Sequence, residues 1–423
     1  MAVSLEHIRN RFKYEATGLF GRRVLPARLL LYHARMLSSP AAVLTVLTGV
    51  AAFFFWLERA TRWKFFNFVP PLIFIYAVPV ALNNFGVIPA TSPAYDVLRD
   101  FGLPVFITLL LLGVNVGAAV RVMGKGVFVM LLGTAGIVIG APIGYAVASP
   151  WLPPEAWKGF GALAGSWVGG TGNMAAVAGG LDTPPEMFGL AVLADNVIYV
   201  IWLPILLASK ALADRFNRWT RVDADRMEKM DAAAEAEAAN TEEEPLKTAH
   251  LLYLAAIALA ATALSAWLAP MLPVVEPILS TSTWRVLLVT TLGIILSFTP
   301  ARRIPKSHEI AMAIVFIFVA GMGARASLEG LADAPAFLLG AFVWILIHGL
   351  FCMGGAWIFR VDIHSAAIAS AANVGGAASA PVVAAYHRES LVPAAILMAL
   401  IGYAIGNYAA LLAATLCRMV EQM

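Results

Sequence analysis

The sequence predicts an all-α polytopic membrane protein, on the basis of its composition, its segregated charges and a duplicated pattern of apolar windows. Hydrophobic residues make up 60% of the 423-residue chain and charged residues only 13%, about half the charged fraction of an average soluble protein. Its mean hydropathy is +0.80. A soluble domain could not bury this much apolar surface, so we expect the lipid bilayer to be a main partner of the chain.

The charges are absent from long stretches such as 40–57, 126–149 and 335–359. Lipid favours such stretches, because an Asp, Lys or Arg at the bilayer centre costs ~2.5–3.5 kcal/mol. Backbone polar groups in hydrocarbon must pair within their own segment, so we expect the spans to be helices. The windows fall at about 40–57, 69–89, 102–121, 126–149, 157–180 and 187–209, and again at about 249–270, 284–299, 308–331, 335–358, 365–386 and 391–416.

These windows divide the chain into two halves joined by a polar segment. The N-terminal residues are basic and lack an apolar run followed by a cleavage site, so they predict an interfacial arm rather than a signal peptide. The segment between the halves is charged and Ala/Glu-rich, which is typical of a solvated linker. The predicted units are a basic interfacial arm at 1–39, a first transmembrane repeat at 40–209, a charged cytoplasmic linker at 210–247, a second transmembrane repeat at 248–416 and a C-terminal tail at 417–423.

The two halves resemble each other in sequence. Residues 165–170 read G-S-W-V-G-G and align with A-A-N-V-G-G at 371–376, and the next window opens with Pro185 or Pro393. One window earlier, Asn115 aligns with Arg325. Duplication of this kind is typical of secondary transporters.

Two windows, 159–180 and 370–386, are abnormal as spanning helices because they are rich in glycine. Each Gly costs a helix interior roughly 0.8–1 kcal/mol, Pro removes a donor, and the freed backbone groups cannot face lipid. We therefore expect paired broken helices that either cross the membrane or are re-entrant. The predicted helix breaks are Gly169, Gly170 and Gly172 in the first window and Gly375, Gly376 and Pro381 in the second.

The distribution of basic loops distinguishes these two topologies. If both broken windows are re-entrant, the basic loops near residues 59–64, 121–125, 210–247, 302–306 and 360 share one side, which should be the cytoplasm. The two halves are then inverted, and the basic N-terminus lies outside. If both windows cross fully, the N-terminus and the linker lie inside together, but the repeats are parallel. We favour the inverted arrangement, which leaves the basic N-terminus unexplained.

The broken windows carry the first candidate site. Exposed carbonyls with Ser, Thr and Asn oxygens suit Na⁺, and the N–H groups at a helix start suit an anion. Small residues that merely let helices pack closely are the structural alternative. The candidate residues are Ser166, Thr171 and Asn173 in the first window and Ser370, Asn373 and Ser379 in the second.

The second candidate site is Asp195 with Asn196, which lies well inside an apolar run. An intramembrane carboxylate is costly and normally faces the bundle interior with a partner. Asp195 could bind Na⁺, carry a proton or make a structural hydrogen bond to a neighbouring helix. Tyr199 lies at i+4, and Tyr403 and Asn407 occupy the matching places in the second half. A Na⁺ site shared by Thr171, Asn173 and Asp195 is the specific prediction.

Other polar residues allow two interpretations each. Arg325 could hold a substrate carboxylate or extend to the membrane interface, and its counterpart Asn115 could contact substrate as well. We interpret His348 as making a satisfied interhelical hydrogen bond rather than acting as a proton relay. His308 and Glu309 with Lys306 indicate an interfacial cap.

Several functions are disfavoured by what the sequence contains. There is no phosphate-binding G-x-x-x-x-G-K-[ST] motif, so ATP-driven transport by this chain is unexpected. Cys352 and Cys417 form no metal-ligand pattern, and a net charge of +3 gives no sign of nucleic-acid binding. We find no paired nucleophile and base, so we do not expect an enzyme or a cofactor other than Na⁺.

Four segments carry a family resemblance: S-W-V-G-G-T-G-N-M-A-A-V-A at 166–178, A-D-N at 194–196, A-N-V-G-G-A-A-S-A at 372–380 and G-Y-A-I-G-N at 402–407. From about residue 40 to its end, the chain resembles the bacterial membrane family called domain of unknown function 819. That family is similar to the bile-acid, arsenite and riboflavin transporters. The resemblance implies inverted repeats, a core domain whose paired broken helices cross near the midplane, a panel domain, and Na⁺- or H⁺-coupled transport. The matching positions are Gly169, Gly170, Asn173, Asp195, Asn196, Asn373, Gly375 and Gly376.

The sequence therefore predicts a cation-coupled, alternating-access carrier for a small organic anion or zwitterion. We expect a homodimer in the bacterial cytoplasmic (inner) membrane. The alternative is a channel in which the Gly-rich breaks form the filter.

Overall fold

The computed structural model describes residues 37–67, 70–223, 226, 228–230, 232–233, 245–275, 278–326 and 332–423. Most of the predicted N-terminal arm therefore lies outside the described residues. Over the described ranges the chain is helical, and its single β contact there is an isolated bridge between Val275 and Leu279.

The helices follow the predicted windows closely. The first half contains α1 (Pro40–Thr61), α2 (Pro71–Asn84), α3 (Pro93–Leu112), α4 (Val116–Met123), α5 (Gly126–Ala148), α6 (Ala156–Gly180) and α7 (Pro185–Ala208), followed by α8 (Ala213–Thr220) in the linker. The second half contains α9 (Thr248–Leu268), α10 (Thr281–Ser297), α11 (Ser307–Gly323), α12 (Ala334–Phe359), α13 (Ile363–Val374), α14 (Gly376–His387) and α15 (Val392–Glu421).

Two helix limits differ from the predicted ones. Helix α3 begins at Pro93, where Ser92 accepts a hydrogen bond from the backbone N–H of Ala94, and it bends by 49° toward α4. Helix α15 continues to Glu421, so the predicted tail at 417–423 is mostly the last turn of this helix. The carboxylate of Glu421 accepts a hydrogen bond from the Tyr145 hydroxyl at 3.0 Å, which anchors that turn against α5.

Among the described residues, six helices are long and apolar enough to cross a membrane, namely α1, α5, α7, α9, α12 and α15. The bent pair of α3 and α4 could form a seventh span. Helices α2, α10 and α11 are shorter apolar helices. The prediction of a polytopic helical membrane protein is thus confirmed.

Helix α6 folds back on itself as a re-entrant hairpin, here called hairpin 1. Gly169 and Gly170 leave the helical conformation, with φ of −139° and +74°. A methyl group added at Gly165, in the first arm, would lie 2.8 Å from the carbonyl oxygen of Asn173 in the second arm. A continuous helix would hold residues eight positions apart at about 12 Å. The two arms, 156–168 and 171–180, therefore lie side by side.

Helices α13 and α14 form hairpin 2 in the same way. They are separated at Gly375 and Gly376, and Gly376 has a φ of +57°. The first and last turns of the hairpin meet, because the Nδ1 atoms of His364 and His387 lie 3.0 Å apart. Both broken windows therefore form hairpins, as the re-entrant alternative requires, whereas the membrane topology and the inverted arrangement of the halves stay predictions.

The hairpins enter the bundle from opposite ends of α7. At the start of α7, the carbonyl of Met187 would lie 2.9 Å from a methyl group on Gly159, at the base of hairpin 1. At its end, the carbonyl of Leu206 lies 2.9 Å from Nε2 of His387, at the base of hairpin 2. We call these the Pro185 end and the linker end of the bundle.

Helices α5 and α12, which occupy equivalent windows of the two halves, pack antiparallel. Along α5 and α12, Gly133 lies against His348, whereas Gly144, eleven residues further along α5, lies against Gly340. The residue numbers rise on one helix as they fall on the other. This is the arrangement that inverted repeats require, and a pseudo-two-fold axis relating the halves stays a prediction.

The helices pack in two groups. One contains α1, α2, α3, α9, α10 and α11, and the other contains α5, α7, α12, α15 and both hairpins. We call them the panel group and the core group, after the domains that the resemblance implied.

The basic loops gather at the linker end. Arg121, Lys125 and Arg360 line one cavity there of about 270 Å³, together with linker residues. Helix α11, which follows the basic segment 302–306, also begins at this end, because Ser307 lies near Gly113 at the close of α3. Phe55 near the end of α1 packs on Phe316, whereas Leu47 lies near Gly321, so α1 runs antiparallel to α11 and ends there too.

Part of the linker packs on hairpin 2, which the prediction of a solvated linker did not include. Nε of Arg226 lies 3.0 Å from the carboxylate of Asp362, and this carboxylate caps α13 through the N–H of Ser365 at 2.8 Å. The backbone N–H of Ile363 donates to the side-chain oxygen of Asn217 at 3.0 Å. Asp362 is fully buried, so the linker supplies its counter-charge.

The first prediction concerns this linker contact. Asp362→Ala should lower the stability of the protein by at least about 3 kcal/mol, because it removes a helix cap and leaves Arg226 without its buried partner. Cys352 and Cys417 are both buried, so a thiol-reactive dye reports thermal unfolding of the detergent-solubilised chain. Asp214→Ala, at an exposed position of α8, is the control. Equal unfolding midpoints for the two variants would show that the contact is not structural.

Candidate functional site

The tips of the two hairpins meet inside the bundle. A methyl group added at Gly376 would lie 3.5 Å from the Cα of Gly170, and one added at Gly170 would lie 4.0 Å from the Cα of Gly376. Both glycines have positive φ, a conformation that costs other L-residues roughly 1–2 kcal/mol. The predicted breaks at the two Gly-Gly pairs are therefore correct, and they form one place rather than two.

Tyr403 of α15 covers both tips. Its Cε1 atom would lie 3.3 Å from a methyl group on Gly170 and 3.6 Å from one on Gly376. Its hydroxyl accepts a hydrogen bond from the backbone N–H of Ala377 at 3.4 Å. Its carbonyl accepts one from the Asn173 side chain at 3.0 Å, which ties the second arm of hairpin 1 to α15.

Asp195 lies beside the tip of hairpin 1. Its carboxylate accepts a hydrogen bond from the Ser166 hydroxyl at 2.9 Å, and Ser166 is one turn before the break. The buried indole N–H of Trp167 also lies near this carboxylate, without a hydrogen bond of good geometry. The Asp195 side chain is partly buried.

One turn along α7, Tyr199 contacts hairpin 2. Its Cε2 atom would lie 3.2 Å from a methyl group on Gly375, and its hydroxyl interacts with Ser379. Helix α7 thus touches the first hairpin through Asp195 and the second through Tyr199. The predicted site residues Ser166, Asp195 and Ser379 are brought to the meeting tips.

Asn373 and Ser370 hold the first arm of hairpin 2 against α5 and α12. The Asn373 amide donates to the carbonyl of Met130 at 2.9 Å and accepts from the Thr134 hydroxyl at 3.2 Å. Ser370 lies 2.9 Å from Nε2 of His348. These polar groups are fully buried and satisfied, so they fix the hairpin in place.

The remaining asparagines have different surroundings. Asn196 donates to the carbonyl of Val192 at 2.7 Å, within its own helix. Asn407 donates to the Thr290 hydroxyl of α10 at 2.8 Å, which links the core group to the panel group. Its Oδ1 atom is buried and has no hydrogen-bond partner among the described residues, so it can accept a bond from an ion or a solute.

Two predicted helix breaks are wrong. Gly172 lies inside the second arm of hairpin 1, where it allows Leu110 to approach; a methyl group there would lie 2.6 Å from the Leu110 side chain. Pro381 lies inside α14 without interrupting it. The adjacent Gly-Gly pairs already provide the reversal of direction in each hairpin, so no further break is needed.

The proposed Na⁺ site at Thr171, Asn173 and Asp195 stays a prediction. The structure places Asp195 against the first arm of hairpin 1, whereas Thr171 and Asn173 belong to its second arm. The Asn173 amino group is engaged by Tyr403. The contact that the structure does show is between Asp195 and Ser166.

Asn115 and Arg325 lie at opposite ends of the bundle. Asn115 caps α4 at the linker end, where its side-chain oxygen accepts from the N–H of Ala118 at 3.2 Å. Arg325 follows α11 at the Pro185 end and lines a cavity beside hairpin 1. The two therefore cannot contact one substrate molecule together.

His308 is a residue that the sequence analysis assigned to the interface only. Its ring stacks on Tyr403 with 5.7 Å between the ring centroids and 16° between their planes. Lys306 and Glu309 form an ion pair at 3.1 Å at the start of α11. The sequence gives no signal for the stacking, since it depends on how α11 packs against α15.

Comparison with known proteins gives a family but no assigned activity. The model of the family described as protein of unknown function (DUF819) matches residues 45–420. The chain is 27% identical over 362 residues to the uncharacterized membrane protein YjcL of Bacillus subtilis (strain 168), covering 83% of this chain and 90% of that protein.

The second prediction tests the meeting of the tips. Gly170→Ala and Gly376→Ala should each destabilise the protein by about 1–2 kcal/mol, because each puts a side chain into the left-handed region. Gly354→Ala is the matched control, since a methyl group there meets no atom within 4 Å. Thermal unfolding with the thiol-reactive dye measures the difference. Tip variants as stable as Gly354→Ala would refute the tip geometry.

Proposed function

The chain belongs to the DUF819 family, and from its site we propose that this membrane protein is a cation-coupled secondary transporter that works by alternating access. Its cargo is a small organic anion or zwitterion. The observation that carries the proposal is the contact of two opposed re-entrant hairpins, Gly170 against Gly376, beside the membrane-embedded Asp195.

Opposed hairpins suit a carrier because each can act as a gate for one end of the protein. The base of hairpin 1 lies at the Pro185 end of the bundle, and the base of hairpin 2 lies at the linker end. In this structure the two tips are closed against each other and against Tyr403. Withdrawal of one tip at a time exposes the site to one side of the membrane, which is what alternating access requires.

Asp195 is the proposed coupling residue. A carboxylate inside the membrane needs a proton, a cation or a basic residue to balance its charge. No basic side chain forms an ion pair with Asp195 among the residues that the structure describes. Na⁺ or H⁺ therefore supplies the counter-charge, with the Ser166 hydroxyl as a further ligand.

The hairpin tips provide the proposed contacts to the cargo. Helix α14 starts at the tip of hairpin 2, and the N–H groups of its first turn carry a partial positive charge toward the site. This supports an anionic group on the cargo, held between the tips. Asn407 Oδ1 and the hydroxyls of Tyr199 and Tyr403 add polar contacts nearby.

A channel is the alternative, with the Gly-rich tips as its filter. The covering of both tips by Tyr403 favours a carrier, because a conducting filter needs a continuous path for the solute. Saturable uptake with counterflow exchange in vesicles identifies a carrier, and linear flux without exchange identifies a channel. We propose transport rather than catalysis, as no paired nucleophile and base stands out in the sequence.

The proposed setting is the bacterial cytoplasmic membrane, with the linker end in the cytoplasm. The basic residues at that end support this orientation under the positive-inside rule. Assembly as a homodimer stays a prediction.

The third prediction concerns Asp195→Asn. This variant should fold normally but lose accumulation of substrate against its gradient, because the cation or proton no longer has its counter-charge. Exchange of labelled for unlabelled substrate across equal concentrations should persist. Reconstituted vesicles with and without a Na⁺ or pH gradient measure both activities, with Asp214→Asn as the control. Uphill transport at the normal rate by Asp195→Asn would refute the proposed coupling.

The fourth prediction concerns Ser166→Ala, which removes the hydroxyl but keeps the carboxylate. It should retain uphill transport with a half-saturating Na⁺ concentration raised roughly tenfold, equivalent to about 1.4 kcal/mol, because Na⁺ loses one oxygen ligand. Initial uptake rates over a range of Na⁺ concentration provide the measurement. An unchanged half-saturating Na⁺ concentration would exclude Ser166 from a Na⁺ site.

A further inference from the structure

A second polar cavity lies at the Pro185 end, away from the meeting tips. It has a volume of about 240 Å³ and lies between the start of α3, the second arm of hairpin 1, the start of α7 and the end of α11. This volume is below the roughly 300–1,000 Å³ of pockets for drug-sized ligands, so it suits a small solute. Its charged and polar lining residues include Arg99, Asp182, Thr183 and Arg325.

The cavity holds two opposite charges that do not neutralise each other. Arg325 and Asp182 are both exposed in its wall, and neither forms an ion pair with any residue in the described part of the chain. Arg99 differs, because it pairs with Asp100 at 3.2 Å and with Asp96 at 3.4 Å. The charges available to a ligand are therefore one guanidinium and one carboxylate.

A buried hydroxyl supplies a further polar contact. Thr183 is 4% exposed, and its Oγ1 atom has no hydrogen-bond partner within the ranges that the structure describes. An unsatisfied buried hydroxyl costs free energy unless a ligand or water completes it. It lies just before α7, whose first turn also lines the cavity, and a helix start favours negative charge.

We propose that this cavity is the binding site at which the transporter first takes up a zwitterionic solute carrying a carboxylate and an ammonium group. Arg325 and the Thr183 hydroxyl hold the carboxylate, and Asp182 holds the ammonium. The inference rests on the proposed transport function and adds to it the charge pattern of the cargo. A plain anion would leave Asp182 unpaired beside it, and a plain cation would leave Arg325 unpaired.

The position of the cavity fits an entry site. Pro185 lines it, and Asp195 lies ten residues further along the same helix, which is about 15 Å deeper in the bundle. The second arm of hairpin 1 borders the cavity through Ala178 and Gly179 and leads back to the tip. The helix and the hairpin arm that line the cavity are therefore the ones that reach the tips.

The test is equilibrium binding to the purified full-length chain in detergent, read as the ligand-induced rise in the thermal unfolding midpoint. The first probe is a pool of free α-amino acids and dipeptides. The other two probes are the same compounds as carboxyl amides, which lack the carboxylate, and as N-acetyl derivatives, which lack the ammonium. We expect only the free pool to raise the midpoint.

Variants that remove one charge show which residue binds the carboxylate of the ligand and which binds its ammonium group. Arg325→Gln should weaken binding of the free pool at least about tenfold and abolish its advantage over the amides. Asp182→Asn should abolish its advantage over the N-acetyl derivatives. Arg99→Gln is the matched control, because Arg99 lines the same cavity but is already paired, and it should bind as the unaltered protein does. Each variant is compared with itself without ligand, so a change in stability alone does not affect the result.

Three results would overturn the inference: no rise with the free pool, an equal rise with the amides or N-acetyl derivatives, or equal effects of Arg325→Gln and Arg99→Gln. The proposed transport function is judged separately. If vesicles still show cation-driven uptake of some other solute that depends on Asp195, the zwitterion site fails and the transporter stands. If the free pool binds but no cation gradient drives its uptake, the site stands and the coupling fails.

Discussion

The structure depends on one constraint, which is that the backbone groups freed at Gly170 and Gly376 cannot face lipid. An unsatisfied backbone group in hydrocarbon costs several kcal/mol, so irregular backbone at this depth must be enclosed by protein or by a polar cavity. Here the two tips enclose each other, and Tyr403 covers both. The helices of the core group surround this contact.

Close packing of small residues makes that enclosure possible. Helices α5 and α12 approach so closely that a methyl group on Gly340 would lie 2.7 Å from the carbonyl oxygen of Gly144. Glycine and alanine on membrane helices allow such approach, and dispersion contacts and buried hydrogen bonds then hold the helices together. Asn373 is an example of such buried hydrogen bonding, since it joins hairpin 2 to α5 through two hydrogen bonds.

The sequence predicted the fold class and the breaks at the two Gly-Gly pairs because both follow from local chemistry. Apolar windows, the cost of glycine in a helix and the charge pattern of the loops are properties of short segments. The choice between crossing and re-entrant helices needed the contact of His364 with His387, which joins residues that no local pattern relates. Pro381 was assigned as a break on local grounds, and the structure holds it inside α14.

The site was predictable in part. Asp195 was identifiable because a carboxylate in an apolar run is costly and is expected to have a polar partner. Its contact with Ser166 fits that expectation. The stacking of His308 on Tyr403 and the docking of Arg226 on Asp362 depend on packing between distant helices and on a linker that looks solvated from its composition. Arg325 could be recognised as unusual, but only the structure places it in a cavity with Asp182.

The most direct test of the account is whether the two hairpins enter the membrane from opposite sides. Single cysteines at Trp151, just before hairpin 1, and at Arg360, just before hairpin 2, are introduced after Cys352 and Cys417 are replaced by Ala. Both positions are exposed. In intact cells a membrane-impermeant maleimide should label Trp151→Cys at once and Arg360→Cys only after the membrane is permeabilised. Labelling of both from the same side would contradict opposed hairpins and the alternating-access mechanism built on them.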